Sequence, residues 1–101
     1  MNAATAIKLA AARKSDAFYA PTTPAEWTAD GWSAVLSGFK ALVGGDLEAA
    51  SRCEGVARRS YHKSIAPAFG TEDVRFRNGD DDLIDAVATL KRAVSVTRLA
   101  A

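Results

Sequence analysis

Between residues 24 and 43 the apolar and polar positions separate onto two halves of a helical wheel. At about 100° per residue, Trp27, Gly31, Trp32, Val35, Leu36, Gly38, Phe39, Leu42 and Val43 share one half, and Glu26, Asp30, Ser33, Ser37 and Lys40 the other. The run opens on Thr23-Pro24-Ala25-Glu26. Thr23 suits the N-cap, Pro24 the first helical position and Glu26 the third. Hydroxyl and carboxylate then satisfy each other's backbone donors. Gly44-Gly45 ends the helix.

Three further segments carry a helical period. In residues 3–19, Ile7, Ala10, Ala11, Ala17 and Phe18 fall on one face, with Lys14 in its middle. That lysine must carry its amine outward along its apolar stem. Asp46 is placed to cap a helix that runs to Ile65 and stops before Pro67, with Leu47, Ala50, Cys53, Ala57, Tyr61 and Ile65 inward. A fourth opens at Asp80–Asp82. Its Leu83, Val87, Leu90, Val94 and Thr97 alternate spacings of four and three, the narrow seam of a bundle. Residues 67–81 lack a helical pattern. Within them Asp73–Arg77 alternates and predicts a short extended segment before the Asn78-Gly79 turn; residues 72–78 could pair as a strand only with another chain.

The predicted fold is all-α: a small antiparallel bundle of about four helices, with one irregular connection at residues 67–81, in a single domain spanning residues 1–101. Both tryptophans and Phe39 are expected to fill its core. Gly31 and Gly38, seven apart at one edge of the apolar face, each cost about 1 kcal/mol against alanine. Close approach of another helix would offset that cost, and a crossing within the fold is expected ahead of one across a homodimer.

Composition adds limits. With 101 residues, 49% of them hydrophobic and many of those alanine, the chain can bury one core without disulfide or metal. The net charge of +1 is neither that of a strongly basic nucleic-acid domain nor that of an acidic mimic of DNA. One cysteine excludes an intrachain disulfide. No apolar run approaches the roughly 20 residues that span a bilayer, and residues 1–14 lack the basic start and continuous apolar core of a signal peptide. These features predict a soluble cytoplasmic protein with no membrane partner.

The segment Ser51–Ser64 (SRCEGVARRSYHKS) gathers the lone cysteine, the lone histidine and most of the local positive charge. A thiol–imidazole dyad needs hydrogen-bond reach. On one helix, a separation of nine positions puts Cys53 and His62 about 180° apart and about 13 Å along the axis. No metal or phosphate-loop spacing stands elsewhere: the acids at 72, 73, 80, 81, 82 and 85 lack the alternation and glycine of a calcium loop, and Gly44-Gly45 has no following lysine.

Arg52, Arg59 and Lys63 fall within about 40° on the third helix, with Arg58 and His62 on the same polar half. As an ordinary solvated face they match the helix dipole, and Glu48–Arg52 and Glu54–Arg58 stand at ion-pair spacing. As a working face they would bind a partner. The functional expectation is a non-catalytic helical module, of the inhibitor or accessory type found in phage and mobile elements, anti-CRISPR proteins among them. It would dock on a protein through Arg52, Arg58, Arg59 and Lys63, with Arg75 and Arg77 in the irregular connection, and without cofactor or metal. Nucleic-acid binding by the Arg52–Arg59–Lys63 stripe is the alternative. It is disfavoured by Asp46 and Glu48, which put acids where a recognition helix would meet the duplex. A catalytic site assembled between protomers around His62 and Asp80–Asp82 is a third reading.

Overall fold

The structure, a computed structural model, describes residues 1–16, 20–65 and 81–100. Among these residues are four helices, α1 (Ala3–Arg13), α2 (Pro24–Val43), α3 (Leu47–Ser64) and α4 (Asp81–Ala100), and no strand. They form an antiparallel bundle in which α1 packs on α2 and α4, and α3 packs on the same two helices from another side. The segment expected to be extended, with Arg75 and Arg77, lies outside the described residues.

Local chemistry sets the boundaries of α2 and α3. Thr23 accepts a hydrogen bond from the Glu26 amide, and Glu26 accepts one from the Thr23 amide, which closes the capping box. At the other end Gly45 adopts φ +80°, and the amides of Gly45 and Asp46 return to the carbonyls of Leu42 and Ala41. This is a Schellman closure, and it needs a residue that tolerates positive φ. The Asp46 side chain then accepts from the Ala49 amide at 3.0 Å and starts α3. One residue thus closes one helix and opens the next.

The first helix is shorter than its periodicity predicts. It stops at Arg13, because Lys14 turns extended at ψ 156°. Ser33 of α2 holds the chain there: its Oγ accepts from the Ser15 amide at 2.9 Å and lies 3.3 Å from the Ser15 carbonyl. Lys14 therefore does not snorkel from a helical face, but pairs with Asp16. Ala6 and Ala10 are the buried positions of α1, whereas Ala11 is exposed; Ala17 and Phe18 lie outside the described residues.

The core lies between α2 and α4. Trp32, Val35 and Phe39 from α2 meet Leu83, Val87, Leu90 and Val94 from α4, with alanines from α1 and α3 filling the sides. Gly31 and Gly38 are where the two helices touch. A Cβ built on Gly31 would stand 2.8 Å from Leu83 Cδ2, and one on Gly38 would stand 2.5 Å from Leu90 Cδ2. The crossing expected of these glycines is thus intramolecular. Trp27, expected in the core with Trp32, is only partly buried and does not belong to it. Two further positions expected inward are exposed. Val43, at the end of α2, is 88% exposed. Thr97 is exposed with the rest of α4 beyond Val94, where the bundle runs out.

Candidate functional site

Residues 47–64 form one unbroken helix, so the spacing argument for Cys53 and His62 holds. Cys53 packs near the Gly38 crossing, while His62 is exposed and edge-on to Tyr61 at 5.4 Å between ring centroids. Among the described residues no three His, Cys, Asp or Glu side chains are grouped to hold a metal ion. No helix among them is long and apolar enough to cross a membrane.

The structure brings together Arg52, Arg58, Arg59 and Lys63, all exposed on α3. Arg58 reaches Glu54 Oε2 at 3.4 Å; among the described residues Arg52, Arg59 and Lys63 make no ion pair. Gly55 sits amid this face with nothing within 4 Å of where a Cβ would be. It differs in this from Gly31 and Gly38, whose missing side chains are replaced by leucines.

Helix α4 carries further charge. Asp82 pairs with Arg13 of α1 at 3.1 Å, and Asp85 with the Met1 amino group at 3.2 Å. Its Lys91 and Arg98 instead line a cleft shared with Ser51 and Glu54 of α3. The bases of α4 divide between two sides: Lys91 and Arg98 face α3, whereas Arg92 lies beside Met1 and Asn2. Lys91 and Arg98 stand seven apart, which is a shared helix face, but only the packing of α4 shows that this face borders α3.

Glu54 corrects the sequence reading. Its spacing to Arg58 suggests a solvated ion pair, but the residue is 7% exposed and its Oε1 accepts no hydrogen bond from the described residues. Seen along the axis, Glu54 stands only about 60° from Ala57, on the buried side of α3. Ser60 and Ser64, which the inward set read from the sequence did not include, are buried too; Ser60 Oγ donates to Asp30 Oδ2 at 2.8 Å across the α2–α3 contact.

Comparison of the chain with protein-family models, with curated proteins and with solved structures finds no match.

Proposed function

We propose that this protein is a non-catalytic binding module that docks on an acidic surface of another protein through the outward face of α3. The observation that carries this reading is that Arg52, Arg59 and Lys63 project from one side of α3 without ion-pair partners among the described residues. Gly55 supports it. A glycine in a helix interior costs about 1 kcal/mol, and among the described residues none uses the space it leaves. A partner backbone approaching α3 between Arg52 and Arg59 would use it. Such a face suits the inhibitor or accessory type of protein, which works by occupying a partner's surface.

The experiment is affinity enrichment with the wild-type chain beside an Arg52→Glu/Arg59→Glu variant. Both positions are exposed, so the variant keeps its helices. A protein retained by the wild type and lost by the variant supports the reading. Equal recovery on both would remove it.

Nucleic acid is the second reading, favoured by one observation: the exposed Arg52–Arg59–Lys63 stripe has no ion-pair partner among the described residues and could track a phosphate backbone. It predicts retention on duplex or single strands that falls steeply with salt. Retention that depends on Arg59 and disappears after nuclease treatment of the sample would put this reading first.

A further inference from the structure

Between α3 and α4 lies a cleft of about 130 Å³ lined by Ser51, Glu54, Lys91, Val94, Ser95 and Arg98. Glu54 is the unusual member. Its Oε2 meets Arg58, but Oε1 is sealed from solvent and accepts no hydrogen bond from the described residues. A buried carboxylate oxygen without a donor is costly, and native structures supply one from protein, water or ligand. The α4 wall opposite carries Lys91 and Arg98, both exposed and therefore free to change rotamer.

We propose that this cleft binds a small zwitterion, a free amino acid of glycine or alanine size, with its ammonium on Glu54 and its carboxylate between Lys91 and Arg98. The donor inventory selects this class. Ionised Glu54 only accepts, Lys91 and Arg98 only donate, and Ser51 and Ser95 can do either. A simple amine would satisfy Glu54 but would bring its charge against Arg58, Lys91 and Arg98. A simple carboxylate would suit the cations but leave Oε1 bare and press like charge on Glu54. A zwitterion answers both walls at once and adds no net charge. The size of the cleft and the apolar Val94 in its wall restrict the side chain to a hydrogen or a methyl. Entry requires Lys91 or Arg98 to swing outward and uncover Oε1. This inference goes beyond the docking reading and stands independently of it.

The test is a two-dimensional amide NMR titration of the full chain in an amine-free buffer, with glycine and alanine as ligands and ethylamine, acetate and phosphate as separate controls. Glycine or alanine should shift the amides of Ser51, Glu54 and Ser95 saturably. Ethylamine and acetate, each lacking half of the interaction, should bind about tenfold more weakly or worse. Glu54→Gln, close in shape, should lose the binding while keeping the helical signal, and Arg98→Met should weaken it with Glu54 intact. The absence of saturable shifts with either amino acid would overturn the proposal, as would undiminished binding in Glu54→Gln. Acetate or phosphate binding as well as glycine would make the cleft an anion site instead. Tighter binding in Lys91→Met would show that Lys91 itself occupies Oε1, and would equally overturn it.

Discussion

Gly38 and Leu90 are fitted so closely that a single added carbon on the glycine would stand 2.5 Å from Leu90 Cδ2. Seven residues earlier in each helix, Gly31 and Leu83 repeat the relationship at 2.8 Å. The matched spacing means that α2 and α4 run in the same direction and touch along a line of glycine against leucine. These two helices are diagonal partners in the bundle, and the glycines let them meet across its centre. Both leucines are fully buried, so neither can yield into solvent.

Alanine at Gly38 should therefore destabilise the fold, although alanine is the better helix former. The propensity gain is about 1 kcal/mol, against an overpacking cost of about 1–3 kcal/mol. A Cβ at Gly38 also meets Cys53 Cβ at 3.2 Å, so Gly38→Ala should lower the thermal midpoint more than Gly31→Ala. Thermal unfolding followed by circular dichroism ranks the two.

Gly55→Ala should do the opposite. The site is open, so the substitution should raise stability by about 0.5–1 kcal/mol. If α3 docks through this face, the same change weakens partner binding while the midpoint rises. An alanine variant that is less stable than the wild type would show that Gly55 has a role within the fold.

The α2–α3 turn yields a third expectation. Gly45 holds φ +80° with open space around it, so Gly45→Ala should cost about 1–2 kcal/mol through backbone strain alone. Asn tolerates this region better, and Gly45→Asn should recover part of the loss. Denaturant melts of the two variants measure the difference. Asp46→Ala, which removes the α3 cap, should cost about 0.5–2 kcal/mol in the same assay.

Glu54 separates stability from function. Replacing a buried ion pair by hydrophobes of similar volume is often neutral or stabilising by about 1–4 kcal/mol, and here the arginine left behind is half exposed and can hydrate. Glu54→Met should accordingly raise the denaturation midpoint. Arg58→Ala should lower it, by roughly 0.5–1 kcal/mol, since Arg58 is half exposed and its contact is screened. A loss of stability in Glu54→Met would mean that Oε1 has a donor in solution.

What could be read from the sequence was whatever depends on neighbours along the chain. The capping box at Thr23–Glu26, the glycine turn and the Asp46 cap are local hydrogen-bond chemistry, and each stands where the spacing put it. The inward seam from Leu83 to Val94 and the use of Gly31 and Gly38 followed from periodicity. The errors came where a second helix decides. Ser33 ends α1 from another part of the chain. Glu54 looked solvated because its i+4 arginine was visible in the sequence, whereas the α4 wall that buries it was not. The same packing hid the contribution of Lys91 and Arg98 to the candidate site. The basic face of α3 was legible from its own spacing; what it binds is encoded in a partner's sequence.

Site-specific photo-crosslinking tests the docking account most directly. A photoreactive residue would replace Arg59 on the α3 face in one sample and Lys8, exposed on α1, in another. The account predicts a crosslinked protein partner from position 59 that is absent from position 8. A partner captured only from position 8, or equally from both, would contradict it.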